Sequence, residues 1–156
     1  MSGRSETLAD VGFVVIVDGV SDPGNLGTIL RSAEAAGIDA VVLTPGSVDP
    51  FNPKVVRASA GALFHVPVID ATIDEVRTGG LRLIGTSSHR GDRHVDTDWS
   101  GRLAVVLGNE AHGLADDAQM DGWVRIEHRG RAESLNVAMA ATILVFEAAR
   151  QRTIVV

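Results

Sequence analysis

GFVVIVDGVSDPGNLGTILRSAEAAGIDAVVL, Gly12 to Leu43, is the stretch that decides the fold. Its first part, Gly12 to Val20, is β-branched without polar alternation, the pattern of a strand buried on both faces. The run ends in the turn-forming Ser21-Asp22-Pro23-Gly24. In NLGTILRSAEAAG, Leu26, Ile29, Leu30, Ala33 and Ala36 then recur at helical spacing, and Gly37 is placed to stop the helix. Ala40 to Leu43 is again short and wholly apolar. A buried strand, a helix and a second buried strand in succession indicate an α/β fold around a mostly parallel sheet.

The rest of the chain continues this alternation. After the Pro-rich TPGSVDPFNP, Lys54 to Leu63 reads as helix and HVPVI as the approach to a third strand. Ala71 to Arg77 is expected to be a helix closed by Gly79 and Gly80, and LRLIGTS a fourth strand. A polar segment, SHRGDRHVDTDWSG, precedes the strand LAVVLGNE. A short helix near Ala115 to Met120, the strand WVRIE, a basic loop and a last helix follow. No internal repeat or linker divides the chain, so residues 1–156 are expected to form one domain.

Composition narrows the function classes. An apolar content of 45% supports a real core, and 17 glycines exceed the globular average of about 7%. The glycines gather where strands meet helices, as in loops shaped to a ligand. No cysteine is present, which removes disulfides, thiolate nucleophiles and Cys-based metal sites, and is compatible with the cytoplasm, where the protein is expected. The longest apolar run, Val137 to Phe146, is shorter than the roughly 18 residues of a membrane span. A net charge of −6 argues against nucleic-acid binding by bulk electrostatics, yet the basic groups are nearly all arginine. Several fall in presumptive loops, including Arg90, Arg93, Arg129 and Arg131, and guanidinium suits phosphate.

Three polar constellations fall at strand ends, where open α/β sheets bind ligands. In DPGNLGTILR, Asn25 opens a helix and Arg31 lies within it. The glycines and exposed N–H groups there suit an anion. The segment lacks the Gly-Lys-Ser/Thr of a P-loop and the G-x-G-x-x-G of a dinucleotide site, and the second strand is followed by Thr44 and Pro45 where a ribose-holding acid would be needed. In VVLGNEAHGL, an apolar strand runs into Gly108, Asn109, Glu110, His112 and Gly113, where backbone can approach a ligand and a carboxylate can reach it. In RGRAESLNVAMAATILVFEAAR, Ser134 and Asn136 begin an otherwise apolar helix. Ser134 could serve as its N-cap. His89, Asp92, His94 and Asp96 lie close in sequence but without zinc-ligand spacing, so no metal is expected. Ser134 lies outside any G-x-S-x-G elbow, which disfavours a serine hydrolase.

NLGTILRSAEAAG, LGNEAHGL and SLNVAMAATILVFE, in this order, resemble the three motifs of the SpoU or TrmH family of SPOUT RNA methyltransferases, and the resemblance runs from about Phe13 to Arg152. PFNPKVVRASAGALFHVPV also resembles the segment between the first two motifs in members acting on ribosomal RNA. The resemblance implies methyl transfer from S-adenosylmethionine to a ribose 2′-hydroxyl, with 23S ribosomal RNA favoured as substrate. Transfer RNA and a non-catalytic knotted RNA-binding module are the alternatives. It further implies a deep C-terminal trefoil knot and a homodimer with the active site completed across the interface.

Carried over by motif, Asn25, Arg31, Glu110, Ser134 and Asn136 are the implied catalytic set. Thr86, Leu107, Gly108, Ile126 and Leu135 are the implied cofactor positions, and Arg129 and Arg131 the candidates for touching RNA. Many relatives have Ile-Pro-Met where this chain has Ile126, Glu127 and His128, which changes the expected cofactor wall. Many also carry an N-terminal substrate-binding domain, so the chain is expected to be either a catalytic fragment or a minimal enzyme.

Overall fold

The computed structural model describes residues 8–131 and 134–153. Seven strands form one all-parallel sheet in the order β3-β2-β1-β6-β4-β7-β5. They are β1 (Phe13–Val17), β2 (Ala40–Leu43), β3 (Val68–Asp70), β4 (Arg82–Thr86), β5 (Asp92–Arg93), β6 (Leu103–Leu107) and β7 (Gly122–Arg125). The helices are α1 (Pro23–Ala36), α2 (Pro53–Ser59), α3 (Ile73–Thr78) and α4 (Val137–Thr153), with a 3-10 turn at Ala62–Phe64. The α/β reading of Gly12 to Leu43 therefore holds, with β1 pairing β2 on one side and β6 on the other.

Each residue of β1 is buried, and alternate side chains serve different cores. Phe13, Val15 and Val17 join the cluster that also buries Leu26, Leu30, Ala141, Leu144 and Trp99, beneath α1, α2 and α4. Val14 and Ile16 join a second cluster with Val76, Leu81 and Leu83, on the side of α3. Burial on both faces is why the strand shows no polar alternation.

Local chemistry explains the element ends. Asp22 caps α1 by accepting from the Asn25 N–H at 3.0 Å, Pro23 occupies the first turn, and Gly37 closes the helix with φ 74°. Asn25 therefore lies inside the first turn rather than opening the helix. The helix expected over Lys54 to Leu63 is interrupted because Ala60 and Gly61 both take positive φ, 52° and 89°. The helix expected near Ala115 to Met120 is absent. A single turn bond from the Ala118 N–H to the Ala115 carbonyl forms there, while Leu114 and Met120 pack on the second core and draw the segment out of helical register. β5 was not legible, because two exposed charged residues join the sheet edge through backbone pairing with β7, which leaves no apolar pattern.

From β7 the chain returns to α4, which packs along α1 on the β1 side of the molecule. Three connections, β4 to β5, β6 to β7 and β7 to α4, are thereby gathered at the carboxyl ends of β4, β6 and β7.

Candidate functional site

β6 enters its loop through Gly108, and only glycine fits. A Cβ there would stand 2.2 Å from the Gly113 carbonyl carbon and 2.4 Å from the Leu114 nitrogen. The loop doubles back on itself because the Gly113 N–H donates to the Asn109 carbonyl at 2.7 Å. Asn109 Oδ1 accepts from the Ala111 and His112 N–H groups at 2.8 and 3.2 Å, and Asn109 Nδ2 donates to the Gly19 carbonyl at 2.9 Å. The loop is thus pinned to the end of β1.

That fold-back aims Glu110 at the start of α1. Its Oε1 accepts from both the Ser21 N–H and the Ser21 hydroxyl at 2.8 Å, and its Oε2 accepts from Asn25 Nδ2 at 3.4 Å. Asn25 Oδ1 accepts from Asn136 Nδ2 at 3.2 Å. Asn136 Oδ1 in turn accepts from the Ala138 and Met139 N–H groups at 2.8 and 3.3 Å, so Asn136 is the N-cap of α4. Ser134, the candidate cap on sequence grounds, lies exposed ahead of it. The three polar constellations meet in one chain of hydrogen bonds. Partial desolvation pushes the Glu110 carboxyl up, but donation from Ser21, Asn25 and Asp22 outweighs it and leaves the group below the usual glutamate range. It stands ionised as an acceptor that fixes these donors.

Beside this chain lies a cavity of about 290 Å³, at the lower end of the range for small-molecule sites. Thr86, Leu107, Gly108, Glu110, Ile126, Ser134 and Leu135 all line it. Every sequence-derived cofactor position is therefore brought to one cavity. Asn25 and Asn136 stand behind Glu110, outside the wall. Arg31 lies on the exposed side of α1 and does not line the cavity of its own chain. Arg129 and Arg131 are exposed in the connection before α4.

Sequence reasoning missed several groups in the wall or bonded to it. Ser21 was read only as part of a turn. Arg90 lies with its guanidinium carbon 3.6 Å from the centroid of the Trp123 ring, and its Nη2 donates to the Asp116 carbonyl at 3.0 Å. Arg90, Trp123 and Asp116 belong to three different segments, all on the cavity wall. Trp123 lies flat over the sheet because Gly85, its partner across the strands, leaves room: a Cβ there would meet the ring at 2.8 Å.

The substitution of Glu127 and His128 for Pro and Met resolves in two ways. Glu127 points away to Arg93, with Nη1 to Oε2 at 3.1 Å, and this bond holds its carboxyl below the usual range. His128 stays on the wall, its Nδ1 3.3 Å from the Ile126 carbonyl. The cavity keeps Ile126 and gains an imidazole. Among the described residues no group of three or more His, Cys, Asp or Glu could hold a metal ion, and no helix is long and apolar enough to cross a membrane.

Residues 12–146 match the model of the SpoU rRNA Methylase family. A 23S rRNA (guanosine(2553)-2′-O)-methyltransferase from Bacillus subtilis is 41% identical over 149 residues, covering 90% of this chain and 59% of its own. Among solved structures, an AdoMet-bound rRNA methyltransferase from Sinorhizobium meliloti superposes with TM-score 0.84 at 33% identity, covering 92% of this chain and 60% of that one. The SpoU methyltransferase AviRb from Streptomyces viridochromogenes, in complex with the cofactor AdoMet, gives TM-score 0.81 at 35% identity over 92% and 59%. The chain thus spans about 60% of the length of these relatives.

Proposed function

Because the chain belongs to the SpoU rRNA methylase family, we propose that it is the methyl-transferring domain of an RNA ribose 2′-O-methyltransferase, acting on ribosomal RNA in the cytoplasm. The observation that carries this reading is the hydrogen-bond chain Asn136, Asn25, Glu110, Ser21 at the edge of the cavity formed by the three connections at the carboxyl ends of β4, β6 and β7. The choice of ribosomal over transfer RNA rests on the named activity of the Bacillus subtilis relative. The trefoil knot implied by the family resemblance belongs to the same reading.

The cavity fits S-adenosylmethionine in kind. Its walls are backbone and small or apolar side chains at Gly108, Leu107, Ile126 and Leu135, which can hold a purine and a methionine chain through N–H and C=O groups. When bound, that cofactor supplies an electrophilic methyl group on a sulfonium. In the net reaction the methyl carbon leaves sulfur and joins the ribose O2′, and the hydroxyl proton is released. Glu110, Asn25 and Asn136 hold the ribose edge of the site rigid, since each is fixed by at least one further hydrogen bond. A guanidinium is a poor base, so the role of Arg31 is to grip the adjacent phosphate and stabilise the developing alkoxide.

Arg31 stands off its own cavity, so the complete site needs a second copy. Met139, Ile143 and Phe146 on α4 are 61%, 37% and 47% exposed at helical spacing and form an apolar stripe beside α1. We assign this stripe to a homodimer that delivers Arg31 to the partner's cavity. Calorimetric titration with S-adenosylmethionine, followed by transfer of labelled methyl to unmodified 23S RNA, tests the reading. A folded dimer that takes up no cofactor at millimolar concentration would refute it.

A further inference from the structure

The two most exposed large apolar side chains of the described residues, Phe51 at 64% and Phe64 at 68%, lie at opposite ends of α2. Phe51 sits just before the Asn52 cap, where an apolar residue ordinarily packs back onto the first turns of its helix. It does not do so here. Phe64 follows the left-handed pair Ala60 and Gly61, which turns the chain out of α2 into the 3-10 turn. Between the phenylalanines, Lys54 and Arg57 project one turn apart from the solvent side of α2, because the other side is occupied. There Gly27 of α1 lets α2 settle directly on it: a Cβ at Gly27 would stand 2.4 Å from that of Ala58.

Charge sets this face apart. The chain carries a net −6, yet no carboxylate occurs from Pro50 to Ile69. Lys54, the only lysine, and Arg57 fall in that interval. No hydrogen bond or ion pair engages either side chain among the described residues. Arg31 is one helical turn beyond Gly27 on the same face of α1, so it borders α2 at the Ala58 contact. The basic surface therefore begins at the residue assigned to the reacting ribose and runs outward over α2.

We propose that this face, with Phe51, Lys54, Arg57 and Phe64, holds the unpaired strand of the substrate RNA that flanks the modified nucleotide. The inference rests on the RNA methyltransferase reading above. Two cations one turn apart take successive phosphates, and a free aromatic ring at each end stacks an unpaired base, as single-stranded RNA requires. A duplex would have no use for the rings. A second protein chain would be expected to bury them against apolar surface, and the two intervening charges disfavour that.

The test is RNA binding by the intact chain, using a single-stranded 12-mer oligoribonucleotide and a fully paired duplex of the same sequence as probes. For each phenylalanine, Phe51→Ala and Phe64→Ala are expected to weaken single-strand binding about tenfold. The double variant Lys54→Gln with Arg57→Gln should lower the slope of log K against log salt by about 1.4, two phosphate contacts at roughly 0.7 each. Duplex affinity should change little with the phenylalanines. Cofactor affinity, melting temperature and sedimentation are read on the same samples. Unchanged single-strand affinity in the variants, no RNA binding by the parent chain, or a change in oligomeric state in place of RNA affinity would each overturn the proposal. Loss of cofactor binding in the parent chain would instead remove the methyltransferase reading.

Discussion

Gly108→Ala puts the geometry of the cavity to its most direct test. The added methyl carbon would lie 2.2 Å from the Gly113 carbonyl carbon and 2.4 Å from the Leu114 nitrogen. Non-bonded carbons rest about 3.5–4.0 Å apart, so the overlap exceeds about 1 Å. Both clashing atoms are backbone, and no rotamer change relieves them. If the loop holds its place, the cost falls at the upper end of the usual overpacking range, about 3 kcal/mol. In a domain of this size that lowers Tm by about 6–12 °C. If the loop gives way, the bonds from Asn109 to Gly19 and from Ser21 to Glu110 are lost, and the thermal penalty shrinks while cofactor affinity falls at least tenfold. Either outcome is visible by differential scanning calorimetry combined with S-adenosylmethionine titration. Gly113→Ala is the control in the same loop: it meets nothing within 4 Å but has φ +64°, so only left-handed strain of about 1–2 kcal/mol is expected. A Gly108→Ala protein that melts with the parent and binds cofactor equally well would refute the claim that close backbone approach shapes this cavity.

Other perturbations separate the roles of the polar groups. Asn136→Ala removes the α4 cap and should cost about 1 kcal/mol by denaturant titration, whereas Asn136→Ser restores the cap but not the bond to Asn25, so its stability should recover while methyl transfer stays low. Glu110→Gln turns an amide N–H₂ toward either Asn25 Nδ2 or Ser21, leaving a donor facing a donor, and is expected to reduce methyl transfer at least tenfold with a modest loss of melting temperature at neutral pH. Since the folded-state pKa of Glu110 is depressed, its contribution to stability is complete above the usual glutamate range and is lost as pH falls through the folded value. Thermal melts from pH 6 to 3 should therefore fall less steeply for Glu110→Gln than for the parent. Trp123 borders the cavity while Trp99 is fully buried, so cofactor should change the fluorescence of the parent, and Trp123→Phe should abolish that change while leaving binding measurable by calorimetry.

The parts of the fold legible in the sequence are those in which one residue type answers one local demand. The unbroken apolar run of Phe13 to Val17 reported burial on both faces, and Gly37 reported a left-handed helix end. Gly108 and Gly113 marked the loop for different reasons, close approach in one and positive φ in the other, and both signals survive in a single sequence. What stayed hidden depends on distant partners. β5 exists only because β7 offers it a ladder, and the segment over Ala115 to Met120 is pulled straight by the packing of Leu114 and Met120. Neither cause lies in the local pattern.

The candidate site shows the same division in its chemistry. Ser134 and Asn136 both carry groups able to cap α4, and the sequence reading offered the first. The structure selects Asn136 because its amide does two things at once, accepting from the helix N–H groups and donating to Asn25. A hydroxyl at this place could cap the helix, but it would not span both partners in the same geometry. That double demand ties the start of the last helix to α1 and, through Asn25, to Glu110, so the seating of its first turn is expected to be coupled to the folding of the Glu110 loop. It follows that Asn25→Ala, which leaves the α4 cap intact, should still lower hydrogen-exchange protection at the first turn of α4. Unchanged protection there would show that the three segments are neighbours without being coupled.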